Sequence, residues 1–471
     1  MAEATYSTVA VVGAGAAGTL TAARLLEAAA LARLPLEVQL IDPAPATGQG
    51  TAYATTDPRH LLNVPAGRLS ARPDRPDDFT SWLSRKLGKQ VGPGEFVARC
   101  HYGHYLSDHL ARAVEGSAFG RFRRRHERVV DLAVDDDGTQ LVFATGGSLR
   151  ARAVVLALGQ PRSGSGWLPH PVSSPRIISD PWHPAALDAV PPESDVLLVG
   201  TGLTMTDIAL TLTRPGRVVH AVSRHGLVPQ RHVRQPPPTI PPPPYGECAD
   251  LPALRRMVLR HAAVCRRLHG DWRPAIDGLR SSTSLLWQRL SPDDRRRFLA
   301  EDLRRWEVHR HRMPPGTADA LAAACTEGRV SITSGRLTQA TPTPGGVQIR
   351  LADGRSLHVG AVVNCTGAPR SVHDSTDPFI RALLRSGAAR PGPLGLGLDT
   401  APDGRLVTRD GHPPAPFWTL GALRLGNLWE TTAIPEIRVQ ATDIATSVLS
   451  MAAAHAGDGA GAGVGGVLSS T

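Results

Sequence analysis

Two glycine-rich turns, nearly two hundred residues apart, constrain the fold of this 471-residue chain more than any other feature. Each follows an apolar run and precedes a helix-like stretch: VAVVGAGAAG at 9–18 and VLLVGTGLTMTD at 196–207. A strand that enters a helix through such a turn presents free N–H groups and the positive end of a helix dipole to a phosphate. The sequence therefore predicts an α/β fold with two Rossmann-like dinucleotide-binding domains.

The first turn has the full glycine pattern of a dinucleotide site. Gly13 allows the tight turn, Gly15 lets a pyrophosphate approach the backbone, and Gly18 allows close packing of helix on strand. The next predicted strand, LEVQLID, ends in Asp42. A carboxylate there accepts hydrogen bonds from ribose hydroxyls and repels a 2′-phosphate, which favours FAD or NAD over NADP. The residues expected to contact this nucleotide are Gly13, Gly15, Ala16, Ala17, Gly18 and Asp42.

The second turn departs from the pattern, because Met205 stands where the third glycine would be. The substitution is expected to loosen the packing of helix on strand without removing the N–H groups that face a phosphate. The following strand, RVVHAVSRHG, ends in Arg224, whose planar guanidinium suits a 2′-phosphate. The alternative is a solvated surface arginine. We expect NADPH here, in contact with Gly200, Gly202, Leu203, Thr204 and Arg224.

The composition excludes several other classes of protein. The net charge is +10, but all except Lys86 and Lys89 of the 52 basic residues are arginine, as codon bias in a GC-rich genome produces. The densest run, RFRRRHER at 121–128, is interpreted as a solvated face, so no nucleic-acid partner is expected. Five scattered cysteines without a C-x-x-C pair argue against a disulfide framework and a zinc site. No apolar run is long enough to span a bilayer, so we expect no membrane partner and a cytoplasmic protein.

Several further motifs narrow the family. They are Gly48-x-Gly50-x-Ala52-Tyr53, HLLNVPA at 60–66, FVAR at 96–99, YGHY at 102–105, WEVHRHRM at 306–313, LGLGL at 394–398, and Gly421 through LWETTAIPEIR at 428–438. Over residues 8 to 448 the chain resembles the FAD–NAD(P)-binding family of two-dinucleotide-binding-domain flavoproteins. That family includes FAD-dependent urate hydroxylase and is related to class B flavin monooxygenases. Ala98, where the family tends to have proline, and the proline-rich run at 235–244 are departures that bear on the substrate pocket.

The resemblance implies a domain order in which the NADP domain is inserted into the FAD domain. The chain would leave the FAD domain after VVLALG at 154–159 and return to it after VVNCTG at 362–367. The expected segments are residues 1–180 (FAD domain, first part, with an antiparallel meander at 128–158), 181–365 (NADP domain, with the proline-rich run and a helical insertion at about 245–325), 366–455 (FAD domain, second part) and 456–471 (a disordered Gly/Ala-rich tail).

The resemblance also implies further FAD-binding residues. They are Gly50, Tyr53, Asn63, Val64, Arg99, Gly159, Gly367, Gly421, Thr432, Ile434 and Pro435. Gly421 is expected to bring backbone close to the FAD, and the helix entered at 431–435 to turn its N-terminal amides toward the flavin. The same stretch is also explained as a helix cap with Pro435 in its first turn.

The activity implied is that of an NADPH-dependent flavoprotein monooxygenase, in which a flavin C4a-(hydro)peroxide formed from O₂ oxygenates a small molecule. We expect a small polar or amino-bearing substrate, with a role in secondary metabolism. The candidate catalytic residues are Asn63, near the flavin, and Arg310, His311 and Arg312, which would contact NADPH or an anionic substrate. His311 is also compatible with a purely structural role.

The sequence is also compatible with two other classes of function. One is an FAD-dependent NAD(P)H reductase, dehydrogenase or oxidase without oxygen transfer, although no redox-active cysteine pair follows the first turn. The other is a non-catalytic nucleotide-binding scaffold, which the proline-rich run favours and the block at 421–438 argues against.

Overall fold

Two five-stranded parallel sheets form the centres of two α/β domains, which confirms the predicted fold class. They are seen in a computed structural model of the chain. The structure describes residues 6–135, 137–160, 166–234, 237–244, 246, 250–367, 370–411 and 417–461.

The strands of the described residues follow in chain order. They are β1 (Ser7–Val12), β2 (Leu36–Ile41), β3 (Gly120–Arg125), β4 (Val129–Asp135), β5 (Gly138–Phe143), β6 (Ser148–Ala151), β7 (Ala153–Leu156), β8 (Ile177–Ile178), β9 (Val196–Val199), β10 (Val219–Ser223), β11 (Val330–Ser334), β12 (Leu337–Thr343), β13 (Gly346–Leu351), β14 (Ser356–Val359), β15 (Ala361–Asn364) and β16 (Phe417–Thr419).

The α-helices are listed in the same order. They are α1 (Ala16–Ala32), α2 (Gly50–Tyr53), α3 (Asp78–Leu87), α4 (Cys100–Glu115), α5 (Leu203–Leu212), α6 (Leu251–His269), α7 (Arg273–Gly278), α8 (Thr283–Arg289), α9 (Pro292–Arg297), α10 (Leu303–Arg310), α11 (Pro315–Thr326), α12 (Pro378–Ser386) and α13 (Ile434–Gly461). A turn of π-helix, Phe298–Asp302, joins α9 to α10.

The first sheet has the strand order β16-β7-β1-β2-β3. Since β7 precedes the second domain in the chain and β16 follows it, the second domain is inserted into the first. Parallel strands are buried on both faces, because their crossovers place other elements there. Apolar side chains of α1 and α13 cover one face, and α12 with the β4–β6 meander covers the other. That meander is antiparallel, as predicted, but it ends at Ala151. The last part of the predicted range, 128–158, contains β7, which belongs to the parallel sheet.

The second sheet has the strand order β11-β10-β9-β15-β8. Because β8 pairs with β15, this domain already includes Ile177, a few residues before the predicted start at 181. Met205 occupies the position equivalent to Gly18 of the first turn, and its effect on the packing of helix on strand stays a prediction. Met205 is fully buried among Leu198, Ile208 and Cys365, since its unbranched side chain fills the gap that a glycine would close by direct contact.

The helical insertion, α6 to α11, lies between β10 and β11. The described part of the proline-rich run, 237–244, contains no helix or strand. It lies against α7, where the Ile240 N–H donates to the Pro274 carbonyl at 3.1 Å. At the other end of the chain, α13 continues to Gly461, past the expected start of the tail at 456, and 462–471 lie outside the described residues.

Among the residues that the structure describes, none of the helices is long and apolar enough to cross a membrane.

Candidate functional site

The first turn requires glycine at two of its three glycine positions for steric reasons. Gly13 has φ +106°, and a Cβ on it would lie 2.3 Å from the carbonyl oxygen of Ala157, the residue after β7. A Cβ on Gly18 would lie 1.8 Å from the Gly13 carbonyl oxygen. The turn is therefore held tightly between β1, α1 and β7.

The N terminus of α1 is left open for a ligand. Gly15 is its N-cap residue, and no side chain caps it. Gly15, Ala16 and Ala17 are partly exposed. Across from them lies Gly50 of α2, on which a Cβ would come within 3.1 Å of the Gly15 Cα. The predicted residues of the first turn and Gly50 thus line one space, beside the free amides of the helix.

Asp42 lies at the end of β2, directly beside this turn. Its Oδ2 accepts a hydrogen bond of 2.8 Å from the Ala14 N–H, and its Oδ1 accepts one of the same length from the Ala44 N–H. Two carboxylate oxygens accept about four hydrogen bonds. Asp42 therefore positions the turn and keeps acceptor capacity for ribose hydroxyls.

The segment from Gly48 to Tyr53 is fixed against α1 and α4. The Gly48 N–H donates to Thr19 Oγ1 at 2.8 Å, and the Tyr53 ring lies edge-on to Tyr102 with 5.0 Å between centroids. Burial raises the pKa of Tyr53 to about 12, so its hydroxyl stays a neutral donor. Val64, further along, packs against the core of the first domain.

Arg99 lies at the junction of the two domains. Its Nη1 donates to Asp207 Oδ2 of α5 at 2.8 Å, and its guanidinium lies 4.4 Å above the Trp182 ring. The Nε and Nη2 atoms of Arg99 are buried and have no hydrogen-bond partner among the described residues. Sequence reasoning missed the pair with Asp207, and the role of Arg99 in FAD binding stays a prediction.

Asn63 is held through its backbone. Its carbonyl oxygen lies 3.0 Å from Nε2 of His232, a residue that follows β10 in the second domain. Burial lowers the pKa of His232 to about 4, so the ring is neutral at pH 7 and Nε2–H is the donor. The loop that carries Asn63 in the first domain is thereby tied to the second.

The second turn repeats the steric rule of the first. Gly200 has φ +108°, and a Cβ on it would lie 2.4 Å from the Cys365 carbonyl oxygen. Gly202 is the N-cap residue of α5, and again no side chain caps the helix. The α5 amides therefore also face open space.

That space is a cavity of about 1260 Å³. It extends from the end of β10, past the second turn, to the residues just before α13. The predicted site residues that line it are Gly200, Gly202, Leu203, Thr204, Arg224, Arg310, His311, Gly367 and Thr432.

The charged lining of the cavity is mostly positive. Arg224 is exposed and makes no ion pair with a described residue, and the same holds for Arg336, which follows the neighbouring strand β11. The full set of charged lining residues is Arg224, Arg304, Arg305, Arg310, Arg336 and Arg370 with Glu301, Glu307 and Glu430. Excess positive charge suits a ligand with several phosphates. Arg336 was missed, because only the strand order places it beside Arg224.

Glu430 connects α10 to the C-terminal part of the first domain. It accepts hydrogen bonds from Trp306 Nε1 at 2.6 Å and from Arg310 Nε at 2.8 Å, and it has φ +58°. A left-handed conformation at a residue other than glycine, asparagine or aspartate is uncommon and is often found at functional sites. Sequence reasoning did not single out Glu430 as a site residue.

His311 and Arg312 follow Arg310 but face different surroundings. The His311 side chain is exposed and lines the cavity, and partial loss of hydration there lowers its pKa. Arg312 does not line the cavity. It is buried, and its Nη2 pairs with Asp277 Oδ1 of α7 at 2.5 Å. Arg310 and His311 line the cavity and Arg312 does not. The helix α10 ends at Arg310, so His311 and Arg312 point in different directions.

The glycine at 421 is explained by packing. Gly421 has φ +71°, and a Cβ on it would lie 2.8 Å from Cδ1 of Ile437 in α13, while its N–H donates to Gln440 at 3.1 Å. Thr432 and Ala433 line the cavity just before α13 begins at the buried Ile434. Pro435 lies in the first helical turn, where its missing N–H costs nothing.

The remaining two predicted glycines lie where the chain passes between domains. Gly159 has φ +71° and Gly367 φ +87°, and a Cβ on either would meet nothing within 4 Å. The positive φ alone therefore favours glycine at both positions, and backbone there has room for a ligand beside it.

Comparisons with known proteins agree with this geometry. Residues 10–161 match the family described as FAD-NAD(P)-binding. A nitrosuccinic acid synthase of Aspergillus oryzae is 32% identical over 241 residues, an alignment that covers 45% of this chain and 36% of that protein. The chain thus spans little more than a third of that relative's length.

Two solved structures extend the likeness to nearly the whole chain. An L-lysine 6-monooxygenase from Pseudomonas syringae superposes with a TM-score of 0.62 at 18% identity, covering 95% of this chain and 100% of that one. The reduced form of an ornithine hydroxylase from Pseudomonas aeruginosa has a TM-score of 0.60 at 16% identity, covering 94% and 98%. Residues 10–161 are therefore similar to the FAD-NAD(P)-binding family, and the chain shares its overall fold with these two solved structures.

Proposed function

We propose that this protein is an NADPH-dependent flavoprotein monooxygenase that uses O₂ to oxygenate a small molecule. The observation that carries the proposal is the cavity of about 1260 Å³, which is lined by residues of both domains. It joins a nucleotide-binding turn with arginines at one end to the entry of α13 at the other. A reductant bound along it would reach the first domain, where the family match lies.

The first turn suits FAD. The uncapped N terminus of α1 would hold the diphosphate, and Asp42 would accept hydrogen bonds from ribose hydroxyls. When bound, FAD supplies the redox chemistry: it accepts a hydride from NADPH and then activates O₂ for transfer of one oxygen atom.

The second turn suits NADPH. Arg224 and Arg336 follow adjacent parallel strands, so both lie at the same edge of the sheet and line the same end of the cavity. Two guanidiniums without an ion-pair partner among the described residues would bind a 2′-phosphate by charge-assisted hydrogen bonds. NADH, which lacks that phosphate, would bind more weakly.

The inner end of the cavity would hold the substrate and exclude water. Trp429 and Leu425 line it with apolar surface, and the Arg310–Glu430 pair fixes one wall. His311 offers a neutral imidazole that would accept a proton from a substrate amine, or donate a hydrogen bond to it. Asn63 does not line this cavity; His232 holds its carbonyl in a loop of the first domain, and a contact of Asn63 with flavin or substrate stays a prediction.

The substrate class proposed is a small amino-bearing molecule. The names of the two structural neighbours state that one hydroxylates ornithine and the other monooxygenates lysine, and the curated relative's name states that it forms nitrosuccinic acid. We place the activity in secondary metabolism and in the cytoplasm, where the scattered free cysteines Cys100, Cys265, Cys325 and Cys365 would stay reduced.

The test is oxygen incorporation under ¹⁸O₂, with FAD-loaded protein, NADPH and a panel of small amines and amino acids. The proposal predicts that one amine gains a single ¹⁸O atom for each NADPH consumed. NADPH oxidation that yields only hydrogen peroxide with every compound would favour an oxidase. Electron transfer to an added dye without oxygen uptake would favour a reductase.

A further inference from the structure

A guanidinium from the helical insertion lies directly beside the second glycine turn. Arg304, in the first turn of α10, has its Nη1 atom 3.7 Å from the position of a Cβ on Gly202. Its Nη2 donates to the Leu227 carbonyl at 2.9 Å and lies 3.4 Å from Thr201 Oγ1. These contacts fix a positive charge in front of the uncapped N terminus of α5.

The charge around Arg304 is not balanced by its protein partners. Arg304 Nη1 lies 3.5 Å from Glu307 Oε2, and Arg370 Nη2 donates to Oε1 of the same carboxylate. One carboxylate therefore serves two guanidiniums, one from the helical insertion and one from the segment that follows β15. The N terminus of α5 adds partial positive charge to the same place. An excess of positive charge concentrated at one point of a cavity indicates an anionic ligand.

We propose that Arg304 binds the diphosphate of the second nucleotide, together with the α5 amides and with Arg370, which shares the Glu307 carboxylate with it. This inference rests on the proposed function and adds to it a division of roles. Arg304 and Arg370 meet the diphosphate, which NADPH and NADH share, whereas Arg224 and Arg336 meet the 2′-phosphate, which only NADPH carries. Because Arg304 belongs to the insertion, nucleotide binding joins the insertion to the second domain.

The test is calorimetric binding to the FAD-loaded protein, with fragments that separate the two anionic groups. ADP-ribose carries the diphosphate alone, adenosine 2′-phosphate carries the 2′-phosphate alone, and 2′-phospho-ADP-ribose carries both. The variant Arg304→Gln keeps an amide donor for the Leu227 carbonyl and removes the charge. Arg297→Ala is the matched control, since Arg297 lies in α9 of the same insertion, is half-exposed and does not line the cavity.

Arg304→Gln is expected to weaken ADP-ribose and 2′-phospho-ADP-ribose about tenfold, as loss of a hydrogen bond to a charged group does. It should leave adenosine 2′-phosphate unchanged. Arg224→Ala should weaken adenosine 2′-phosphate and 2′-phospho-ADP-ribose and leave ADP-ribose unchanged. Unchanged ADP-ribose binding by Arg304→Gln, with wild-type protein binding it well, overturns the role of Arg304 and leaves the proposed function intact. Wild-type protein that binds neither ADP-ribose compound overturns the proposed function and this inference together.

Discussion

The two glycine turns of this protein share one backbone design and differ in what surrounds it. In the first, Gly13 and Gly18 pack the turn against its neighbours, and the carboxylate of Asp42 holds it from the next strand. In the second, Met205 replaces the third glycine, and Arg224 follows the next strand beside a large open cavity. A strand–turn–helix unit thus provides phosphate-binding amides in both places. The residues around it decide which nucleotide each place suits.

The largest effect is expected where the first turn is most crowded. Gly18→Ala would place a Cβ 1.8 Å from the Gly13 carbonyl oxygen, so the strand and helix would have to separate. We expect a loss of at least about 4 kcal/mol in the free energy of unfolding, and protein without bound flavin. Met205→Ala, at the equivalent position of the second turn, would cost about 2–5 kcal/mol by leaving a cavity.

Urea unfolding and the visible spectrum measure both changes. The control is Gly316→Ala in α11, where a Cβ would meet nothing within 4 Å. A Gly18→Ala protein that is yellow and as stable as the wild type would show that position 18 does not require glycine for close packing of α1 on the sheet.

The link between the domains comes next in size. Arg99→Ala would leave Asp207 buried without its partner, at a cost of about 3 kcal/mol in the free energy of unfolding. The double variant Arg99→Ala/Asp207→Asn should recover part of that loss, because no unpaired charge remains. Arg150→Ala, which breaks an ion pair of two half-exposed side chains, is the control and should change nothing measurable. Equal stability of the single and double variants would argue against this interpretation of the pair.

The contact between His232 and Asn63 predicts a pH dependence. Burial beside Arg312 lowers the pKa of His232 from 6.5 to about 4. Below pH 6.5 His232 therefore binds a proton in the unfolded chain but stays neutral in the folded chain. The free energy of unfolding is thus highest near pH 7 and above, and it falls as the pH is lowered toward 4. Between pH 7 and pH 5 the loss amounts to about 2 kcal/mol.

The measurement is the difference in unfolding free energy between wild type and His232→Asn, followed from pH 7 to pH 5. The variant keeps a donor for the Asn63 carbonyl but does not titrate. The wild type should lose about 2 kcal/mol more than the variant over this range. Parallel pH profiles for the two proteins would mean that His232 titrates normally in the folded state.

The smallest expected change concerns nucleotide choice at the second turn. Arg224→Ala should weaken NADPH binding about 10- to 100-fold and leave NADH binding unchanged, since hydrogen bonds to a charged group contribute about 1.5–3 kcal/mol. Arg336→Ala should act in the same direction. Titration of each variant with both nucleotides checks this, with the exposed Arg260 of α6 replaced by alanine as the control. Equal losses of affinity for NADPH and NADH would show that these arginines do not bind the 2′-phosphate.

Features set by local sequence were predictable, and features set by strand order were not. The glycine turns, Asp42 and Arg224 follow from a few neighbouring residues, and the structure has the turns between strand and helix and the two charged residues just after β2 and β10, while their contacts with nucleotides stay predictions. Arg336 could not be paired with Arg224, because nothing local shows that β11 lies beside β10.

Contacts between distant segments were missed for the same reason. The Arg310–Glu430 pair joins residues 120 positions apart, and Arg99 meets Asp207 across 108. Arg312 was grouped with its neighbours Arg310 and His311 because they are adjacent in sequence. The end of α10 at Arg310 turns its side chain toward Asp277 instead.

The most direct test of the two-nucleotide account is the visible spectrum of the purified protein during anaerobic titration with NADPH and, in parallel, with NADH. The account predicts yellow protein whose flavin absorbance is bleached by NADPH at much lower concentration than by NADH. Protein that stays colourless after FAD is added, or yellow protein that neither nucleotide reduces, would contradict it.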